Sequence, residues 1–158
     1  RTRACRYQGN AEYATIAQIR DSVQIPVIAN GDITTSEKSL EVLRLTNADG
    51  LMIGRGAQGR PWIFTQLANF AAGRDENASL ENLNLRDIML DHLEEMHRFL
   101  GEATGVRGAR KHLTWYCKQL GHAGEGRYEV VRVLSAKEQL RLTTEYFDRS
   151  DGGIAAAA

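Results

Sequence analysis

The chain has 158 residues, 42% hydrophobic and 25% charged, which is the balance of an ordinary soluble globular protein with room for one domain or two small ones. Lys plus Arg and Asp plus Glu both number 20, so the net charge is zero and only local patches can argue for a nucleic-acid partner. Cys5 and Cys117 stand far apart with no C-x-x-C pair, so neither a zinc site nor a disulfide framework is suggested, and two thiols of a reducing, cytoplasmic compartment are expected. No apolar run approaches the ~20 residues of a membrane span, and there is no signal peptide. The first residue is Arg, and RTRACR does not read as a natural start, so the chain is expected to be a piece of a longer protein.

In chain order, residues 13–23 place Ile16, Ile19 and Val23 at helical spacing. Ile25 to Ala29 is a short apolar run, ended by Asn30-Gly31-Asp32, and its apolar faces predict a parallel strand buried under helices. Thr34, Thr35 and Ser36 offer an N-cap, Leu40 and Leu43 give the next helix its core face, and Asn47 is its stop. Asp49 to Gly54 predicts a second buried strand, and Pro61 sits at the first turn of a third helix. Helix, strand, helix, strand, helix over residues 1–72 is parallel α/β architecture.

Residues 71–79, AAGRDENAS, are polar and aperiodic, which places a linker at 73–79. From 80 to 149 the pattern is helical. Leu85, Ile88, Met89, His92, Leu93, Met96, Phe99 and Leu100 form one apolar stripe, with His92 read as a core histidine. A second helix, from about Thr104 to Leu120, buries Val106, Ala109, Leu113, Cys117 and Leu120. A third, from about Tyr128 to Phe147, turns Val130, Val133, Leu134, Leu140 and Phe147 inward. The tail, 150–158, has too little to bury and is expected to fray. The fold class is thus α/β followed by all-α.

Gly54, Gly56 and Gly59 fit G-x-G-x-x-G, the dinucleotide fingerprint. That reading needs an acidic residue ending a strand about 20 residues on, and Asp75 and Glu76 have the spacing but no strand before them. The loop also closes the α/β part instead of opening it. A (β/α)8 TIM barrel fits better, because such barrels hold phosphate on the loops after the last two strands. Here two successive strands end in polar, glycine-bearing loops, Asn30-Gly31-Asp32 and Gly54-Arg55-Gly56, where backbone N–H groups can approach an anion and Arg55 adds a charge. Two strands cannot close a barrel, so the first six are expected upstream.

Between Ala103 and Gly124 there is no acid, yet there are Arg107, Arg110, Lys111 and Lys118 with His112 and His122. Arg107, Lys111, Thr114 and Lys118 fall at i, i+4, i+7 and i+11, one helix face opposite the apolar stripe. Such a face neutralises phosphates without reading sequence, or is simply solvated. Arg1, Arg3 and Arg6 form a second basic cluster that Arg60 can join, and Trp115 and Tyr116 either pack between helices or stack on a base.

The segments RTRACRYQG, IPVIANGDI, ADGLMIGRGAQGRPWIF and ARKHLTWY together resemble the tRNA-dihydrouridine synthases, most closely those of the bacterial B type, over nearly the whole chain to about Phe147. The resemblance implies an FMN-dependent oxidoreductase that reduces the C5–C6 double bond of a uridine in the tRNA D-loop, with NADPH as reductant, on a TIM barrel followed by a helical-bundle tRNA-binding domain. It implies FMN-phosphate contacts at Asn30, Gly31, Asp32, Gly54 and Arg55. The basic residues read above offer tRNA contacts at Arg1, Arg3, Arg60, Arg107 and Lys118, and the resemblance adds its support at Arg110, Lys111 and His112, which coincide with a family Arg-Lys-His motif. The family's catalytic Cys, active-site Lys, His-Gly pair and flavin-ring contacts belong to earlier strands, and neither Cys5 nor Cys117 matches the catalytic one. The expectation is therefore a C-terminal portion, monomeric, without metal or membrane contact, and inactive by itself. The alternatives are another FMN barrel, of the dihydroorotate dehydrogenase kind, and a non-catalytic RNA-binding module.

Overall fold

A computed structural model describes residues 9–78, 84–119 and 126–150, with backbone alone at 126–128 and 149–150. The described residues divide into two compact units, one of 9–57 with 61–78 and one of 58–60 with 84–150.

The first unit runs α1 (Tyr13–Ser22), β1 (Ile28–Asn30), α2 (Ser36–Thr46), β2 (Gly50–Met52), a 3-10 turn (Arg55–Ala57) and α3 (Ile63–Ala71). The strands pair in parallel, with Ile28 opposite Gly50, Ala29 opposite Leu51 and Asn30 opposite Met52. Parallel pairing requires a crossover, and α2 supplies it. Side chains alternate faces along a strand, so Ala29 and Leu51 turn to one side. There they pack with Ile33, Val42, Tyr13, Ile16, Ala48 and Ile53.

Three expectations change here. The first strand begins at Ile28, not Ile25, and is not buried on both faces: Ile25 is 69% and Ile28 56% exposed. Ile28 and Met52 point away from the helices, and no described residue covers that face. The core face of α2 is Ser36, Ser39, Val42 and Thr46, with Leu40 and Leu43 only half-buried. The small hydroxyl residues let the helix lie close to the sheet, and their polarity is satisfied locally: Ser39 Oγ donates to the Ser36 carbonyl at 2.6 Å and Thr46 Oγ1 to that of Val42 at 2.7 Å. Pro61 and Trp62 form a turn ahead of α3, which starts at Ile63. Helix ends follow the residues offered. Thr35 Oγ1 caps α2 by accepting from Lys38 N at 3.2 Å, and Asn47 stops it in the left-handed conformation (φ 47°). After α3 the chain folds back, Gln66 Nε2 donating to Asn77 Oδ1 at 2.8 Å and Ser36 Oγ to Glu76.

The second unit contains α4 (Leu85–Leu100), α5 (Glu102–Gln119), α6 (Gly126–Arg132) and α7 (Ala136–Ser150). Gly101 (φ 74°) turns α4 into α5, and the two helices touch backbone to backbone at Gly105, where a Cβ would stand 2.7 Å from His97 Cα and 2.8 Å from the Met96 carbonyl oxygen. The core includes Met89, Leu93, Val106, Ala109, Leu113, Tyr116, Cys117, Val130 and Phe147. Two expectations fail. Phe99 is 85% and Leu100 42% exposed, and His97 takes the buried position near the end of α4 instead. The expected single helix from Tyr128 to Phe147 is two, and Leu134 between them is 82% exposed. The break forms because the start of α7 is capped twice: Ser135 Oγ accepts from Glu138 N at 3.3 Å, and Glu102 Oε1 accepts from Ala136 N at 2.9 Å.

Candidate functional site

The two glycine loops are stitched together at the C-terminal ends of the paired strands. Asn30, the last residue of β1, donates from Nδ2 to the Met52 carbonyl at 2.7 Å. Gly31 (φ 140°) lets the chain pass so close to Ala11 that a Cβ would stand 2.5 Å from the Ala11 Cβ, and its carbonyl accepts from Tyr13 OH at 2.8 Å. Asp32, at φ 51°, accepts from Ala11 N at 2.8 Å through Oδ2 and meets Arg55 Nη2 at 3.0 Å through Oδ1. One of the five donors of the guanidinium is thereby engaged, and the loop carries both signs of charge. Gly56 closes the second loop onto the first, since a Cβ there would stand 2.5 Å from the Ile33 carbonyl oxygen. A Cβ on Gly54 would meet nothing within 4 Å, so the backbone at that point lies open to a ligand.

On the second unit, Arg107, Lys111, Thr114 and Lys118 are all exposed along α5. Arg107 Nε donates back to the Ala103 carbonyl at 3.2 Å. Arg110 turns inward: its Nη2 donates to the Val133 carbonyl at 3.1 Å, just past the end of α6, and its buried Nε finds no acceptor among the described residues. His112 is half-buried, with the His92 ring 4.8 Å and the Trp115 ring 4.9 Å away, both edge to face. Burial, then the charges of His92 and Lys111, push its pKa down to about 4. His92 Nδ1 lies 3.0 Å from Tyr116 OH; burial lowers the pKa of His92 and pushes that of Tyr116 up to about 12. Lys111 Nζ sits 5.6 Å from the centre of the Trp115 ring.

Arg60 belongs to the short segment that joins this unit, where Gly59 (φ 71°) lies against α5 so closely that a Cβ would stand 2.5 Å from the Trp115 carbonyl carbon. Arg1, Arg3, Arg6, Cys5 and His122 lie outside the described residues. Tyr13 and Met52, which hold the first loop through a hydroxyl and a main-chain carbonyl, carry no sequence signal for this role. Among the described residues no group of three His, Cys, Asp or Glu side chains converges on a metal position, and no helix is long and apolar enough to cross a membrane.

The family model for dihydrouridine synthase (Dus) matches residues 1–150. The chain belongs to the dihydrouridine synthase family. It is 49% identical over 154 residues to a tRNA-dihydrouridine synthase B of Xanthomonas axonopodis pv. citri (strain 306), covering 98% of this chain and 46% of that protein. It is 46% identical over 148 residues to the tRNA-dihydrouridine synthase B of Shewanella oneidensis, covering 94% of this chain and 46% of that one. With the tRNA-dihydrouridine synthase B of Pseudomonas aeruginosa the identity is 43% over 159 residues, covering 100% and 48%. The chain spans about half the length of the curated relatives it matches.

Proposed function

We propose that the chain is the C-terminal portion of an FMN-dependent tRNA-dihydrouridine synthase, which reduces a D-loop uridine with NADPH as the reductant. In this reading β1 and β2 are the last strands of a TIM barrel, residues 80–149 are a helical tRNA-binding domain, and the catalytic cysteine belongs to strands outside this chain. The observation that carries it is the stitching of the two loops, Asn30 to Met52 and Asp32 to Arg55, at the strand ends where barrels of this kind bind phosphate. The exposed Ile28 and Met52 support it, being what strands show when one face is meant for a barrel interior.

The residues fit an FMN phosphate. Gly54 leaves its backbone open, Gly31 and Asp32 fix the first loop against Ala11, and Asn30 and Arg55 link the two loops. When bound, the flavin supplies the hydride chemistry; these residues anchor its phosphate and orient it. The basic row of Arg107, Lys111 and Lys118, with Arg60, Arg1 and Arg3, neutralises tRNA phosphates, while Arg110 and His112 serve the same surface from behind it. The target base must leave its stack to reach the flavin.

The test uses the full-length protein that carries this chain. It should purify with FMN and form dihydrouridine in unmodified tRNA with NADPH, and Arg55→Glu should lower its FMN content. An FMN protein that reduces or oxidises a small pyrimidine and ignores tRNA would refute the reading in favour of another flavin barrel. This chain alone should form no dihydrouridine.

A further inference from the structure

Trp115 stands at the boundary of α5. Leu113, Tyr116 and Cys117 are buried, Lys111, Thr114 and Lys118 are exposed, and the indole between them is half-buried. Its position is braced from the core outward. Tyr116 OH holds His92 at 3.0 Å, His92 meets the His112 ring at 4.8 Å and 78°, and His112 meets the indole at 4.9 Å and 81°. The brace is uncharged near neutral pH, because burial keeps His112 neutral, so it does not repel the ammonium of Lys111. That ammonium lies over the indole, 5.6 Å from its centre, one turn along the exposed basic row.

We infer that Trp115 and Lys111 form a nucleotide subsite, in which an unstacked base of the RNA lies on the indole and the ammonium moves to the adjoining phosphate. The inference rests on the tRNA reading above and deepens it by naming where a base is held. Each element has a physical reason. A base presents an aromatic face to any aromatic side chain, whatever its identity, and stacking is the sequence-tolerant way to hold single-stranded or looped RNA. An indole already fixed by its neighbours loses little freedom on binding. A lysine beside it supplies the phosphate contact that a base brings with it. An acidic protein partner would use the basic row but would have no need of the braced indole.

The experiment titrates the full-length protein with unmodified tRNA across a salt series. Lys111→Gln should make the log–log salt dependence shallower by roughly one. Trp115→Leu should weaken binding about tenfold at every salt concentration with the slope unchanged, and Trp115→Phe should restore most of the loss. Trp115→Leu that binds like the parent while keeping its melting temperature overturns the subsite. Should Trp115→Leu fail to fold, the difference in tryptophan emission between the parent and Trp115→Phe decides: a component quenched by saturating tRNA in the parent and missing from Trp115→Phe is expected, and identical quenching of the two overturns the proposal. The double variant Arg107→Glu/Lys111→Glu separates the two levels. If it abolishes tRNA binding while Trp115→Leu does not weaken it, only the subsite falls; if neither changes affinity, the tRNA reading falls as well.

Discussion

Nε2 of His97 lies 2.8 Å from Oε1 of Gln139, and both side chains are buried. Gln139 Nε2 in turn donates to the Val106 carbonyl at 3.3 Å, so one amide joins α4, α7 and α5. The hydrogen-bond pattern assigns the proton to Nε2 of His97, since Gln139 presents it an acceptor.

Replacing that amide by a hydrocarbon leaves the buried imidazole N–H without its acceptor and removes the second bond to the Val106 carbonyl, which keeps its place in the α5 ladder. Gln139→Leu should therefore destabilise the helical unit by about 1–3 kcal/mol, the usual cost of orphaned buried polar groups. The double change His97→Phe/Gln139→Leu should recover part of this, because both side-chain partners then become apolar. Urea denaturation followed by helical circular dichroism reads both, and a Gln139→Leu midpoint equal to the parent's refutes the account.

The second prediction concerns pH. His112 titrates near 4 when folded against an ordinary value of 6.5, so the folded state favours the neutral ring. The unfolded chain binds the proton first as pH falls, which removes stability. The contribution is full above pH 6.5 and declines as the pH falls toward 4; the lowered His92 acts in the same direction. His112→Gln should flatten this part of the curve. Thermal melts of parent and variant across that window check it, and parallel curves would show that the ring is not held neutral.

How much of this was legible in the sequence follows from what kind of residue does the holding. The order of elements was legible because Ile16, Met89, Leu93 and Val106 repeat at the right period, and because Thr35 and Asn47 are good helix ends. The glycine loops were legible because only a few chemistries need such turns. The inner face of α2 was not, since Ser36, Ser39 and Thr46 are polar by type and are buried through hydrogen bonds, those of Ser39 and Thr46 to their own helix and that of Ser36 to Glu76. Nor were His97 and Gln139, whose burial depends on partners far away in sequence. The split between α6 and α7 escaped because one of its two caps comes from Glu102, more than 30 residues earlier. The inward turn of Arg110 escaped because sequence shows a charge and not its direction.

The third prediction separates two neighbouring glycines. At Gly56 a Cβ would stand 2.5 Å from the Ile33 carbonyl oxygen, so Gly56→Ala must push the loops apart. The full-length variant should lose both FMN and several degrees of melting temperature, in line with about 1–3 kcal/mol of overpacking. At Gly54 the same methyl meets nothing within 4 Å. Gly54→Ala should keep its melting temperature and lose FMN only through the space the phosphate needs. The flavin-to-protein absorbance ratio and a melt distinguish them, and a Gly54→Ala protein with full FMN content counts against a phosphate seated there.

The fourth prediction divides the basic residues of α5 by where they point. Arg107 and Lys118 are exposed, so Arg107→Gln and Lys118→Gln should leave the melting temperature unchanged. Each should weaken tRNA binding and reduce its salt dependence by roughly one in log–log slope, as expected for one lost phosphate contact. Arg110 differs because its guanidinium holds the Val133 carbonyl between α6 and α7. Arg110→Gln leaves that carbonyl without its donor, and a charge-assisted bond of this kind is worth about 1.5–3 kcal/mol. The melting temperature should therefore fall, and tRNA affinity should fall with the salt slope nearly unchanged, because the surface is displaced and no phosphate contact is removed. A normal melt combined with a reduced slope for Arg110→Gln would mean that this side chain turns outward to the RNA, and that α6 and α7 keep their junction without it.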